Sequence, residues 1–281
     1  MTARLIRRGV GWLAIAIAVY VTVEVVTYQR TYPDAASRQK LAALSEDPAV
    51  RMLQGVPHAV ETPGGFVVWD AGWMLAAVAG IWAMLAAGRL LRGEEESGRA
   101  ELVLVAPVRP SRVVLVQSGV LAGAAVVAGA AAAVPLALMG TGAAGSALFG
   151  LGLAGFAATF AAVTAVPAQI FQVRRLVTMA SAAVFGVLFL VRMAANSADS
   201  RGWLRWLTPF GWLDDLHPYR NPIGPALNWR DPVLAVSPFH HLANVPAEPF
   251  DIVAAVNMIA VAALLTMAGH WLFERRDLTG D

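Results

Sequence analysis

The residues best suited to polar chemistry lie together in one segment of the sequence, residues 89–112, which reads RLLRGEEESGRAELVLVAPVRPSR. The segment contains four glutamates and five arginines and lies between two long apolar stretches. Carboxylates and guanidinium groups form charge-assisted hydrogen bonds with groups of opposite charge. Because so charged a segment has to lie in water at a membrane face, the sequence predicts a docking surface for a soluble protein here.

The residue patterns required for nucleotide or metal chemistry do not occur in the sequence. A Walker A loop needs a lysine within G-x-x-x-x-G-K-[ST] to reach the phosphates, and the single lysine, Lys40, lies in SRQKLAAL. His240 and His241 are adjacent and form no H-E-x-x-H pattern, so polar interfacial side chains are favoured over a metal site with His217. We therefore predict no catalytic residue, no metal ligand and no cofactor bound by this chain.

The composition is that of a membrane protein. Hydrophobic residues make up 58% of the sequence and charged residues 14%, and the mean hydropathy is +0.60. Soluble domains contain about 45–50% apolar and 25% charged residues, so this chain has too little charge to cover a globular surface. The net charge of +2 is spread over short segments between apolar stretches, which argues against nucleic acid as a partner.

Six apolar stretches approach or reach the length of about 20 residues that a helix needs to cross a bilayer. The sequence therefore predicts an all-α integral membrane protein, with residues 1–281 forming one domain of six transmembrane helices. Segment 89–112 lies between the second and third helices, and the fifth predicted span is the shortest. The spans are expected at about 10–28, 66–87, 113–138, 144–166, 176–191 and 252–272, with outer segments at 29–65 and 196–250.

Arginines mark every second boundary of these spans, and short cytoplasmic loops are the ones that retain positive charge. We therefore predict a multi-pass protein of the cell membrane with both termini cytoplasmic. A cleaved signal peptide at the first span is disfavoured, because its apolar run exceeds the usual length of about 7–15 residues. The boundary arginines are Arg4, Arg7, Arg8, Arg89, Arg92, Arg99, Arg109, Arg112, Arg174, Arg175, Arg275 and Arg276.

Three ionisable residues lie toward the outer ends of predicted spans, where such residues are candidates for function. They are Glu24 in the first span, Asp70 in the second and Arg192 in the fifth. We favour an interfacial structural role over a place on a substrate path, because charge costs little near the interface. Gly119 and Gly123 form a G-x-x-x-G pattern, which favours tight packing within the chain over a dimer seam or a sliding surface.

Short helices are also predicted outside the spans. Segments 208–213 and 237–242 share the pattern [ST]-P-F-x-x-L, and a proline after serine or threonine favours a helix start or a turn. We expect short or re-entrant helices here before the last span, with a plain loop as the alternative. On the inner side, Ser97 is suited to cap a short helix through Val105, with a solvated turn as the alternative.

The glutamate-rich segment resembles the cytoplasmic signature of the permeases of type-2 ATP-binding cassette (ABC) exporters, in which an E-rich stretch precedes G-[RT]-x-E-L and a P-V-[SRG]-R turn. Pro110 departs from this pattern. More narrowly, the chain resembles the tetronasin-type antibiotic-export permeases of actinobacteria, with similar features in WLTPFGW from Trp206 and SPFHHLANVP from Ser237. The positions that match the signature are Glu94, Glu95, Glu96, Gly98, Arg99, Glu101, Leu102, Pro107 and Val108.

This resemblance implies a transport subunit that is not itself an enzyme. Residues 94–102 would form a coupling helix on ABC ATPase subunits, which hold the ATP and Mg²⁺, with Gln169, Arg174 and Arg175 as a second inner contact. A second six-span half, identical or distinct, would complete a path in the lipid membrane for hydrophobic or amphiphilic antibiotics. A non-transporting scaffold or signalling subunit, and a secondary transporter, remain alternatives.

Overall fold

The computed structural model of the chain describes residues 2–44, 47–92, 110–216, 218–219 and 267. These residues form an all-α structure without strands, and five of their helices are long and apolar enough to cross a membrane. The helices are α1 (Thr2–Thr31), α2 (Ala35–Leu44), α3 (Pro48–Gln54), α4 (Pro63–Leu91), α5 (Pro110–Leu138), α6 (Ala143–Ile170), α7 (Arg174–Asn196), the 3-10 helix η1 (Asp199–Leu207) and α8 (Pro209–Asp214).

Each of the first five predicted spans coincides with one long helix, namely α1, α4, α5, α6 and α7. The helices extend past the predicted boundaries because only their apolar centres have to match the hydrocarbon core. Helix α7, with 23 residues, is the shortest of the five, as predicted. The predicted sixth span lies outside the described residues apart from Met267, which is helical. The predicted coupling helix and the second [ST]-P-F-x-x-L segment also lie outside them.

Helices α4 and α6 occupy the centre of the bundle. In their most apolar stretches 56% and 50% of the residues are buried, compared with 22% in α1 and 17% in α7. Small residues bring α5 and α6 together: a Cβ on Gly129 would lie 2.2 Å from the carbonyl oxygen of Gly150. By contrast, a Cβ added on Gly119 or on Gly123 would have no atom of another described element within 4 Å. Glycine packing within the chain is therefore found, but not at the predicted G-x-x-x-G pair.

The bundle has two distinct ends. One carries Arg7, Arg89 and Arg174 around a common cleft, and we call it the arginine end. The other carries α2, α3, η1 and α8, and we call it the short-helix end. Helix α4 begins at the short-helix end, where the hydroxyl of Thr62 accepts a hydrogen bond from the backbone N–H of Gly65 at 3.1 Å. Pro63 suits the first turn because the N–H it lacks has no partner there in any helix.

Helix α8 forms at the first [ST]-P-F-x-x-L segment, as the sequence predicts. Thr208 caps it by accepting from the backbone N–H of Phe210, and Pro209 begins the helix. Phe210 is 1% exposed and its ring lies within 5.3 Å of the rings of Phe156, Phe185 and Phe189, measured between centroids. Helix α8 therefore inserts a side chain into the core formed by α6 and α7.

Candidate functional site

A buried arginine on α7 organises the short-helix end. Arg192 is 0% exposed, and its guanidinium forms a bidentate ion pair with the carboxylate of Asp214 on α8. Its Nε donates to Oδ2 at 2.7 Å and its Nη2 donates to Oδ1 at 3.0 Å. A bidentate pair of this geometry offsets the desolvation that a buried charge otherwise incurs. The pair thus fixes α8 against the last turns of α7.

The remaining donors of Arg192 close the end of α3. Its Nη1 donates to the carbonyl oxygen of Leu53 at 2.6 Å and its Nη2 to that of Gln54 at 3.1 Å. The last carbonyls of a helix have no partner within it and need an external donor. The chain turns away at Gly55, whose φ of 91° favours glycine. Arg192 therefore joins three elements, α3, α7 and α8.

A second layer of polar side chains supports Asp214. The amide Nδ2 of Asn196 donates to Asp214 Oδ2 at 3.3 Å, and Arg205 of η1 donates from Nε to Asn196 Oδ1 at 3.0 Å. Arg205 also lies 3.5 Å from Asp215, measured from Nη1 to Oδ1. Burial raises the pKa of Asp215 to about 6, against the lowering effect of Arg205. These residues, with Arg192, form what we call the Arg192 cluster.

Asp70 is hydrogen-bonded into the same region through α3, and Glu24 of α1 lies close enough to Asp70 for the two carboxylates to repel each other. The side-chain Nε2 of Gln54 donates to Asp70 Oδ1 at 3.0 Å, and the backbone carbonyl of Gln54 accepts from Arg192. Glu24 lies on α1 and is hydrogen-bonded to Tyr20 of the same helix. Hydrogen bonds thus connect Asp70 with Arg192 through Gln54, an intermediary that the sequence did not point to, and Glu24 approaches the same region from α1.

A small cavity adjoins the Arg192 cluster. Its volume is about 30 Å³ and its lining includes Gln54, His58, Trp73 and Asp214. A cavity of this size has room for one or two water molecules. The indole Nε1 of Trp73 is buried and has no hydrogen-bond partner among the described residues. The site therefore offers a donor and a carboxylate to a water molecule, but no space for a drug-sized compound.

Asp214 was missed by the sequence-based expectations, although a signal for it exists. An arginine placed in a span requires a carboxylate or carbonyl partner, and the sequence WLDD places two carboxylates directly after the predicted short helix. The distance between Arg192 and Asp214 along the chain is only 22 residues. Asn196 and Gln54 carried no such signal, because neutral amides are common throughout outer loops.

At the arginine end, two polar side chains fix the helices that flank segment 93–109. Arg92 directly follows α4. Its Nε donates to the carbonyl oxygen of Ala168 on α6 at 2.5 Å. The amide Nε2 of Gln117 on α5 donates to the carbonyl oxygen of Leu90 at 2.8 Å. Arg92 is 2% exposed and Gln117 7%. We call these two contacts the Arg92 anchor.

The second predicted inner contact lies beside this anchor. Gln169 follows Ala168 directly, and its buried Oε1 has no hydrogen-bond partner among the described residues. Arg174 and Arg175 begin α7 after a three-residue turn and are exposed. Residues Glu94, Glu95, Glu96, Gly98, Arg99, Glu101 and Leu102 lie outside the described residues.

A metal centre is not found in the described part of the chain, where no three carboxylate or histidine side chains lie close enough to hold an ion. His217, His240 and His241 are outside that part. The polar side chains described above form hydrogen bonds and ion pairs that join helices. These polar contacts hold the helices of the bundle together at both of its ends.

Comparison with known proteins gives this bundle a family. Residues 3–220 and 221–274 match the family described as "Multidrug efflux system permease Rv1217c, C-terminal domain". The curated multidrug efflux system permease protein Rv1217c of Mycobacterium tuberculosis (strain ATCC 25618 / H37Rv) is 32% identical over 211 residues, which cover 74% of this chain and 37% of that protein. The chain therefore spans less than half the length of this relative. Since the match covers nearly the whole sequence, the protein is a multi-pass membrane protein that belongs to the family of the multidrug efflux permease C-terminal domain.

Proposed function

We propose that this chain is the permease subunit of a type-2 ABC exporter that moves hydrophobic or amphiphilic compounds, such as antibiotics, out of the cell. The family match and the relative's role in multidrug efflux support export. A single lysine outside any Walker A loop supports the placement of ATP and Mg²⁺ on separate ATPase subunits. The described bundle supplies five of the six membrane spans expected for one half of the transporter.

The observation that carries the coupling proposal is the Arg92 anchor. Segment 93–109 starts directly after Arg92 and ends directly before Pro110, the first residue of α5. Because Arg92 is bonded to α6 and Gln117 bonds α5 to α4, both ends of the segment are tied to the three most extensively packed helices. A displacement of the segment would therefore move packed helices and not a free loop.

Helix α4 provides a rigid link between the two ends of the bundle. It continues from Leu91, beside the Arg92 anchor, to Asp70, which is bonded to Gln54 and through it to Arg192. The distance along the helix axis is about 32 Å at 1.5 Å per residue. In the proposed mechanism, closure of the ATPase subunits pushes on segment 94–102 and α4 transmits the movement to the short-helix end, where the Arg192 cluster holds the outer helices closed.

The test of this mechanism removes the charges of the coupling segment. In a variant with Glu94, Glu95, Glu96 and Arg99 all replaced by alanine, we expect loss of copurification with the partner ATPase and loss of ATP-driven flux into inside-out vesicles. Replacing four charges of the opposite end serves as a control and should leave both properties intact; this variant changes Arg30, Lys40, Glu61 and Arg201 to alanine.

Retention of the ATPase and of flux by the first variant would show that docking occurs elsewhere. An intact complex of the unchanged proteins without ATP-dependent flux of any hydrophobic compound would instead favour the scaffold or signalling role. Flux driven by an ion gradient in the absence of ATP would favour a secondary transporter. These three outcomes separate the docking assignment from the transport assignment.

A second six-span half is proposed to complete the unit. Gly119 and Gly123 lie on an exposed face of α5, and glycines at this spacing allow close contact between helices in lipid. We expect leucine at both positions to reduce pairing, measured by crosslinking in membranes, whereas leucine at Gly11 and Gly186 should not. Pairing with an identical tagged copy would indicate a homodimer, and pairing only with a distinct permease would indicate a heterodimer.

A further inference from the structure

A wide opening of the described bundle lies at the arginine end, between α1, α4 and α7. It is a cleft of about 710 Å³, far larger than the cavity beside Asp214. Its polar rim is formed by four arginines, which are exposed in the described structure. They are Arg7, Arg8, Arg89 and Arg174. We call this opening the arginine cleft.

The charge of the cleft has one sign. Its lining contains four guanidinium groups and no carboxylate from the described residues. Arg7 and Arg8 of α1 and Arg89 of α4 bring positive charges from two helices together, and like charges repel one another. An anion in the cleft would turn this repulsion into attraction. A phosphate group can accept paired N–H donors from guanidinium groups.

The rest of the lining is apolar and belongs to the membrane. Trp82 and Leu85 of α4 also line the cleft, and a Cβ added at Gly9 of α1 would lie 3.3 Å from the indole nitrogen of Trp82. Tryptophan is enriched at the level of lipid headgroups. The cleft thus has a cationic surface next to an apolar one. A phospholipid has its charged headgroup next to its acyl chains at the same depth of the membrane.

An apolar stripe leads from the cleft along α4 toward the membrane centre. Leu85, Ile81, Val78 and Met74 are spaced by one helical turn and are between 36% and 46% exposed. The stripe is about 16 Å long at 1.5 Å per residue. One leaflet of a hydrocarbon core near 30 Å thick measures about 15 Å. The stripe therefore matches the length of an acyl chain that starts at the cleft.

We infer that the arginine cleft binds an anionic phospholipid, with its phosphate between the arginines and an acyl chain along the stripe from Leu85 to Met74. The lipid joins α1 and α4, because its phosphate pairs with Arg7 and Arg8 of α1 and with Arg89 of α4. This inference does not depend on the direction of transport or on the identity of the ATPase. It assigns the site to a lipid of the leaflet at the arginine end.

The test measures lipid binding by the purified full-length chain in detergent. Native mass spectrometry is carried out with phosphatidylglycerol and, separately, with phosphatidylcholine of the same acyl chains. We expect selective retention of phosphatidylglycerol. The double variant Arg7→Gln with Arg89→Gln should bind it about 30-fold more weakly, at roughly fivefold for each arginine near the lipid charge. The matched variant Arg30→Gln with Arg201→Gln, at the opposite end, should bind like the unchanged protein.

Four outcomes would overturn the inference. Equal binding of the two lipids, or equal losses in the two double variants, would mean that the cleft does not recognise lipid charge. Displacement of phosphatidylglycerol by inorganic phosphate at the same phosphate concentration would indicate a site for a free anion. Selective binding that appears only after Glu94, Glu95 and Glu96 are changed to glutamine would show that their segment occupies the cleft.

Discussion

Arg192 of α7 and Asp214 of α8 form a bidentate ion pair in which the arginine is completely buried and the carboxylate side chain is 20% exposed. The two side chains therefore differ in exposure: the protein surrounds the cation on every side, whereas the anion remains near water. The two residues are 22 positions apart in sequence, with all of η1 between them. The pair therefore determines how the chain returns to the bundle after its fifth span.

Removal of Arg192 is expected to be severely destabilising. Arg192→Ala removes the counterion of Asp214 and the donor to the carbonyl oxygens of Leu53 and Gln54, and breaking a buried pair costs about 3–5 kcal/mol. For a chain of this size the loss corresponds to a decrease of roughly 10 °C in Tm, measured by thermal unfolding in detergent. Arg201→Ala, an exposed change nearby, should move Tm by less than about 2 °C.

The double variant Arg192→Met with Asp214→Leu tests why Arg192→Ala is destabilising. The cause is either the loss of the ion pair itself or the uncompensated charge that remains on Asp214. Replacement of both partners by apolar residues removes the buried charge together with its counterion. We expect it to recover most of the Tm lost in Arg192→Ala. A double variant no better than the single one would show that the carbonyl contacts to α3 dominate the stability.

Asp215 is expected to make stability depend on pH. Its pKa of about 6 in the folded protein exceeds the ordinary value of 3.8, so the folded state binds the proton more tightly than the unfolded chain does. Stability from this group is therefore greatest below about pH 4 and falls as the pH rises toward 6. Asp215→Asn abolishes that loss, and its Tm advantage over the unchanged protein should grow between these values.

The pH experiment has a control and a clear opposing result. Gln39→Asn, at an exposed position, changes no titratable group and should show a Tm difference from the unchanged protein that varies little over the same pH range. A constant difference for Asp215→Asn would mean that burial does not disfavour the ionised Asp215 carboxylate in the folded protein.

Substitution of Gly145 is expected to lower the stability of the protein, because Tyr219 packs on this glycine. The Tyr219 hydroxyl is hydrogen-bonded to the hydroxyl oxygens of Ser146 at 2.9 Å and Thr141 at 3.1 Å, and a Cβ on Gly145 would lie 2.7 Å from both the Tyr219 ring and the backbone oxygen of Pro218. Gly145→Ala should therefore displace the tyrosine and lower Tm by several degrees. Gly186→Ala, which meets no atom within 4 Å, should raise Tm slightly because alanine favours a helix.

The orientation of the bundle can be tested with single cysteines, because the natural sequence has none. The positive-inside rule predicts that the arginine end faces the cytoplasm. Gln172→Cys, exposed between α6 and α7, should react with a membrane-impermeant maleimide only after the cells are permeabilised. Gln39→Cys, exposed on α2, should react in intact cells. The reverse pattern of labelling would invert the topology and place both termini outside.

Much of the fold followed from local patterns in the sequence. The apolar stretches marked α1, α4, α5, α6 and α7, because a length of about 20 apolar residues is a requirement of the bilayer and not of any particular neighbour. The start of α8 at Thr208 and Pro209 was also predictable, since capping and proline geometry are local. The exact helix ends were not, because a helix continues into the headgroup region without needing apolar residues.

The site was less accessible from the sequence. Arg192 and Asp70 stood out as charges in apolar surroundings, but their connection through Gln54 depends on how α3 folds back over α4 and α7. The glycine contacts were also not predictable from spacing. The G-x-x-x-G pattern pointed to Gly119 and Gly123, whereas Gly129 of α5 and Gly150 of α6 form the close contact between helices. Spacing fixes which glycines share a face, and only packing decides which face meets another helix.

The sequence by itself determined that the chain is a helical membrane protein, that it holds no Walker A lysine, and that a charged segment separates its second and third spans. These properties depend on solvation and residue type, which act along the chain without reference to a partner. Only the tertiary structure decided that Arg192 pairs with Asp214, that Arg92 ties α4 to α6, and that arginines of three helices surround one cleft. Such contacts join positions far apart in sequence, and their energies exist only once the helices have packed.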